Sequence, residues 1–132
     1  VAKLDGVLAI PHLGASTEES EDNCAAMAVE ELIDYLECGN IENSVNYPAC
    51  SLGKLQSSMR LAVAHYNKPK VLSNITALLG DADVNIEHMV SKTRGDFGYA
   101  LFDAGCEISD EIISKIEKME HIISVRTIVK NC

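Results

Sequence analysis

The chain has 132 residues, 47% hydrophobic, 23% charged and 5% aromatic, with a formal net charge of −9. The acidic balance and sparse aromatics argue against a nucleic-acid surface. No apolar run is long enough to cross a bilayer and no signal-peptide pattern appears. Five cysteines (Cys24, Cys38, Cys50, Cys106, Cys132) are odd in number, widely spaced and without a Cys-x-x-Cys pair. That pattern favours a reduced, cytoplasmic setting over a metal centre, and His12, His65, His88 and His121 share no ligand spacing.

Val7 to Ile10 is a short apolar run between Gly6 and Pro11, which predicts a buried strand. Ser16 or Thr17 then caps a helix whose first turn holds Glu18 and Glu19, where the helix dipole favours negative charge. Ala25, Ala28, Val29, Leu32, Ile33 and Leu36 form an i, i+3, i+4 stripe, and Gly39 is a good C-terminal stop. This stripe is expected to be buried against another copy of the chain, or else mobile. Tyr47 to Ser58, with Pro48, Gly53 and three serines, reads as a linker.

A second unit begins at Met59, where Met59, Leu61, Val63 and His65 alternate with Arg60, Ala62, Ala64 and Tyr66 as in a strand. Pro69 is expected as the first residue of a helix carrying Val71, Leu72, Ile75, Leu78 and Leu79, stopped at Gly80. Asp83 to Thr93 alternates again, with Val84, Ile86, His88 and Val90 on one side. Arg94 to Gly98 is a turn, and Tyr99 to Ala104 the paired strand. The Arg94-Gly95-Asp96 tripeptide is read as hairpin chemistry rather than an adhesion motif, because Gly and Asp suit such turns. Ser109 caps a helix with Ile112, Ile113, Ile116 and Met119, and Ile122 to Val129 is the last strand. The order is βαββαβ, a ferredoxin-like α+β arrangement.

Two places carry candidate chemistry. His12 lies on a strand-to-helix turn, a usual position for catalytic side chains. The turn His65-Tyr66-Asn67-Lys68-Pro69 opens the second helix, whose free N–H groups suit a carboxylate. Asn67 offers a donor and an acceptor, and His65 a donor. Asn85 opens the next strand, expected to lie beside the first, so its amide is expected to face the same region. Such a set suits a small zwitterion. The alternative is that Asn67 and Asn85 serve turn backbones and His65 is a satisfied edge residue.

Pro11-His12-Leu13-Gly14-Ala15-Ser16-Thr17 resembles the signature of the NAD-dependent D-2-hydroxyacid dehydrogenases, and the resemblance continues through Glu18 to Asn23 and on to Asn43-Ser44-Val45-Asn46-Tyr47-Pro48. It implies that His12 is the general acid/base of hydride transfer, that Leu13, Gly14 and Ala15 line an NAD site with it, and that residues 43–48 form a return strand. No Gly-x-Gly-x-x-Gly occurs, so the dinucleotide fingerprint is missing, and the family's arginine and acidic partners of the histidine have no match here. The chain is therefore expected to be the C-terminal piece of a longer enzyme, inactive alone. Leu61 to Val129 is similar to an ACT domain, and His65-x-Asn67-x-Pro69 with Val84-Asn85-Ile86 resembles its serine-binding form. That implies L-serine as an effector held by His65, Asn67 and Asn85, with ACT units paired edge to edge in a homo-oligomer, and 3-phosphoglycerate as the substrate of the full enzyme. Lys70 departs from the family's glycine after the turn proline. The expected organisation is a dehydrogenase remnant over 1–48, strand–helix–strand in form, a linker over 49–58 and the ACT unit over 59–132. Two alternatives stand beside it: an ACT unit serving only oligomerisation, and another ACT-bearing dehydrogenase acting on a different acid.

Overall fold

The computed structural model describes residues 11–14 and 16–130. The chain divides into two units between Leu32 and Ile33, inside the long helix α1 (Glu18–Cys38). In the first unit Thr17 caps α1, its Oγ1 accepting from the Ser20 N–H at 3.2 Å. Glu18, Glu19 and Glu21 occupy the first turn. None of the residues of α1 is buried, and Met27, Val29 and Leu32 of the expected apolar stripe and its margin are more than half exposed. The strand expected over Val7–Ile10 lies outside the described residues.

The second unit is built on a four-stranded antiparallel sheet. Its strands are β1 (Met59–Tyr66), β2 (Ile86–Arg94), β3 (Phe97–Ala104) and β4 (Ile122–Val129), in the order β2-β3-β1-β4. Two helices, α2 (Val71–Asp81) and α3 (Asp110–Glu117), complete the ferredoxin-like βαββαβ fold. β1 and β3 are central, which explains why they read as nearly continuous apolar runs: every residue of β1 is buried except Tyr66. Leu61, Val63 and Phe102 pack with Ile75 and Leu79 of α2 and Ile116 of α3. All six are fully buried, and each contributes about 1.5–3 kcal/mol through lost apolar exposure.

Several local details differ from the sequence pattern. α2 starts at Val71 rather than at Pro69, because Lys70 adopts a left-handed conformation (φ 69°, ψ −4°), and it runs through Gly80 to Asp81. Ser109 stands at the cap of α3, but its backbone carbonyl, not its side chain, accepts the first-turn N–H groups. β2 does not alternate cleanly. A bulge at Glu87 (Ile86 opposite Ala104, His88 opposite Asp103) swaps its faces, so Ile86 joins the helix-side core and Val90 the other side. The Arg94-Gly95-Asp96 tripeptide sits in a two-residue hairpin turn, with Gly95 at positive φ.

The return strand expected over 43–48 is not formed. A single bridge between Ile41 and Cys50 is the only ladder contact there among the described residues. Residues 49–58, expected as a linker, contain no helix or strand, yet the segment from Gly39 to Ser57 is folded onto the sheet face opposite α2 and α3. Ile41 and Cys50 are buried there with Ala62, Ala64, Tyr99 and Leu101, and Tyr47 and Leu52 pack around them. This strap gives the sheet a second apolar layer.

Candidate functional site

His65 ends the buried stretch of β1, and the turn after it is tied down from two sides. The Tyr66 N–H donates to the His121 carbonyl at 2.9 Å, and the Asn67 N–H to the Asp96 carbonyl at 2.8 Å. The Asn67 side chain also reaches the hairpin, its Nδ2 donating to the Gly95 carbonyl at 3.0 Å. So part of its hydrogen-bonding capacity is already engaged, while the residue itself is exposed. His121 and Lys70, at the same end of the sheet, both hold positive φ without being glycine, and such strained positions tend to gather at functional sites.

His65 is 2% exposed, and its ring lies over Gly98, its cross-strand neighbour. A Cβ on Gly98 would stand 2.3 Å from ring Cε1, so no other residue type fits beneath this ring without displacing it. His65 Nδ1 is 2.8 Å from the Tyr66 carbonyl oxygen. A carbonyl only accepts, so Nδ1 carries the hydrogen. Nε2, left to accept when Nδ1 alone carries the hydrogen, is the one buried side-chain N or O without a partner among the described residues. An unsatisfied buried polar atom is costly, on the order of 1–3 kcal/mol. The geometry therefore suits a ligand hydroxyl or ammonium that donates to Nε2. The sequence pattern offers His65 as a donor to a ligand; in the structure its Nδ1–H is taken by the Tyr66 carbonyl.

Asn85 is not in this place. β3 separates β2 from β1, and Asn85 precedes the end of β2 that faces Ala104, whereas His65 faces Gly98. Six residues of β3 lie between, about 20 Å along the strand. Within one chain, then, His65 and Asn67 come together and Asn85 stands exposed at the opposite end of the sheet. The expectation that β2 lies beside β1 fails because the hairpin partner, β3, takes the central place.

His12, Leu13 and Gly14 form an exposed turn ahead of α1, with the Ser16 N–H donating to the Leu13 carbonyl at 3.1 Å. His12 has no hydrogen-bond partner among the described residues, and a Cβ on Gly14 would meet open space. Ala15 lies outside the described residues. No group of three or more potential metal ligands occurs among those described, and no described helix is long and apolar enough to cross a membrane.

The sequence pattern did not single out the polar core beneath the strap. Arg60 of β1 and Asp103 of β3 form a buried two-pronged ion pair (Nε–Oδ1 2.5 Å, Nη2–Oδ2 2.8 Å). Arg60 Nη1 donates onward to the carbonyls of Cys38 at 2.8 Å and Gly53 at 2.7 Å. Asn40 bridges the same region, donating to Asp34 and accepting from the Leu52 N–H. The Tyr99 hydroxyl donates to the Gly39 carbonyl at 2.8 Å, and burial raises that phenol well above its ordinary range. Burial likewise pushes the Cys50 thiol up to about 11. A signal was present: Arg60 and Asp103 are the only Lys, Arg, Asp or Glu in β1 and β3, and such a charge has little stability inside a sheet unless paired.

A protein-family model described as the ACT domain matches residues 60–121. Two curated relatives are named D-3-phosphoglycerate dehydrogenase. That of Haemophilus influenzae is 26% identical over 96% of this chain and 31% of its own length; that of Dictyostelium discoideum is 31% identical over 96% of this chain and 30% of its own. The chain thus spans under a third of either relative. Among solved structures, the ACT domain from GTP pyrophosphokinase of Chlorobium tepidum aligns with 55% of this chain and 97% of its own, at 15% identity and a TM-score of 0.48. Residues 60–121 belong to the ACT family, within a chain homologous over nearly its whole length to D-3-phosphoglycerate dehydrogenases.

Proposed function

We propose that this chain is the C-terminal region of a D-3-phosphoglycerate dehydrogenase and that its ACT unit senses L-serine. The observation that carries the sensor reading is the buried, unpartnered Nε2 of His65 over Gly98. It calls for a small ligand with a hydrogen to donate, and the serine hydroxyl is such a group. The exposed Asn67 and the first turn of α2, which has no side-chain cap, adjoin it. They suit the polar ends of a zwitterion.

Asn85 enters this site from a second copy. β2 is an edge strand. Pairing it antiparallel with its own copy across a two-fold axis brings the start of one β2 beside the end of the other. The partner subunit's Asn85 then lies at the Gly95 end, close to Asn67. The same pairing removes an open sheet edge and covers Met89, a half-exposed apolar side chain on β2.

In the full enzyme His12 accepts the substrate hydroxyl proton as a general base and returns it in the reverse direction. NAD, when bound, supplies the hydride acceptor. The exposed His12–Gly14 turn fits one wall of such a site, and the open space at Gly14 allows close approach. The substrate of that reaction is 3-phosphoglycerate, and bound serine lowers activity by restricting domain closure. The protein is read as cytoplasmic.

A calorimetric titration of L-serine, with glycine and D-serine as controls, tests the sensor reading. Saturable binding of L-serine alone, lost in His65→Ala, supports it. No heat with any of the three, from a folded dimeric chain, moves the assignment to a purely structural ACT unit. That second reading is favoured by Asn67, whose Nδ2 is committed to the Gly95 carbonyl.

A further inference from the structure

The strap from Gly39 to Ser57 joins the effector end of the sheet to the end of α1. Tyr66, which follows His65, packs its ring on Phe97 (centroids 5.8 Å apart); Phe97 packs on Tyr47 of the strap (5.8 Å); Tyr47 packs edge-on against Tyr99 (6.2 Å). These separations lie in the range of favourable aromatic pairs. The row ends where the Tyr99 hydroxyl holds the Gly39 carbonyl, at the residue that closes α1. Gly39 has φ 72°, and a Cβ there would meet Ile128 Cδ1 at 2.7 Å, so this closure is sterically fixed.

A second line runs parallel to it. Asn67 holds the hairpin through Gly95, and the adjoining Arg94 donates from Nη1 to the Ser44 carbonyl of the strap at 3.0 Å. A ligand that recruits the Asn67 amide competes with the Gly95 bond, and so acts on the hairpin that carries both Arg94 and Phe97.

We propose that the Tyr66–Phe97–Tyr47–Tyr99 row, with the Tyr99–Gly39 hydrogen bond as its output, passes the state of the His65–Asn67 turn to the last turn of α1. The inference rests on the sensor reading and adds the route by which it acts. It makes Tyr47 and Tyr99 coupling residues that do not touch the ligand.

The test uses amide hydrogen exchange on this chain, with and without L-serine. The amides of Gly39, Ile41 and Cys50, which donate to Tyr35, Cys50 and Ile41 respectively, report on the strap. In the parent chain L-serine changes their exchange by about threefold or more. In Tyr99→Phe, and in Tyr47→Leu at a half-buried position tolerant of change, L-serine affinity stays within about twofold while that response disappears. Binding without any change at these amides in the parent overturns the inference alone, as does an undiminished response in both variants. Failure of the parent to bind L-serine removes the sensor reading and this inference with it.

Discussion

Arg60 and Asp103 are directly opposed on the two central strands, and together they bury a charge pair that also anchors the strap. Their side chains are 0% and 3% exposed. Arg60 satisfies its remaining donor on the carbonyls of Cys38 and Gly53, twenty-two residues before it and seven before it in sequence. Removing one partner of such a pair strands the other charge, at about 3–5 kcal/mol. Arg60→Met and Asp103→Asn are therefore expected to lower the urea midpoint strongly. The paired substitution of both residues by apolar side chains should recover much of the loss, and a double-mutant cycle by denaturant unfolding measures the coupling.

Lys70 is a substitution site with the opposite sign. Its φ of 69° is a conformation glycine adopts freely and a lysine does not. The steric penalty is about 1–2 kcal/mol, partly offset in a glycine variant by greater freedom of the unfolded chain. Lys70→Gly is expected to stabilise the chain by about 0.5–1 kcal/mol, seen as a rise of several degrees in Tm by calorimetry. Conformation alone thus accounts for a preference for glycine at this position, without any contact to a ligand.

At Gly98 the cost lies in space rather than conformation. An alanine methyl there meets the His65 ring at 2.3–2.9 Å. Gly98→Ala is expected to cost about 1–3 kcal/mol through overpacking, and to abolish L-serine binding by turning the ring away from its Tyr66 anchor. Thermal unfolding and titration of the same sample separate the two effects. Retained serine affinity in this variant would show that the ring's place over Gly98 is not part of the site.

Cys50 gives the chain an alkaline limit. In the folded state burial holds its proton up to about pH 11, against an ordinary value of 9.0. Below pH 9 both states keep the proton and the stability contribution is complete. Between pH 9 and 11 the unfolded chain releases it while the folded chain does not, so stability falls. Buried Tyr99 acts in the same direction. Cys50→Ala should flatten this alkaline decline in a pH series of denaturant unfolding. In the same spirit, alkylation of the native chain at pH 8 should modify exposed Cys24 and Cys106 and spare Cys50 until the chain unfolds.

Much of this was legible from residue patterns alone. β1 and β4 fall where alternation and apolar runs place them, because short apolar runs bounded by turn residues leave strong local signals. α3 begins one residue after Ser109, as its spacing implied. Misreadings occurred where tertiary context overrode local pattern. The bulge at Glu87 broke the alternation of β2, and no periodicity rule announces a bulge. Residues 47–58 read as a linker because Pro48, Gly53 and three serines suit a loop, although Cys50 within that stretch and Ile41 before it pair into the second layer. Chain order alone would set Asn85 beside His65. In this topology the sheet interposes β3, and the pair can meet only across two copies.

The serine site is completed by a second chain. The decisive measurement mixes a His65→Ala/Asn67→Ala chain with an Asn85→Ala chain and titrates L-serine into the re-equilibrated sample. Each variant alone should bind nothing. A mixed dimer contains one doubly defective site and one intact site, so the account predicts that binding returns at parental affinity with one site per mixed dimer. Mixed dimers that form and bind no serine, while the parent chain does, would contradict it, as would parental binding by the Asn85→Ala chain alone, which would place Asn85 outside the site.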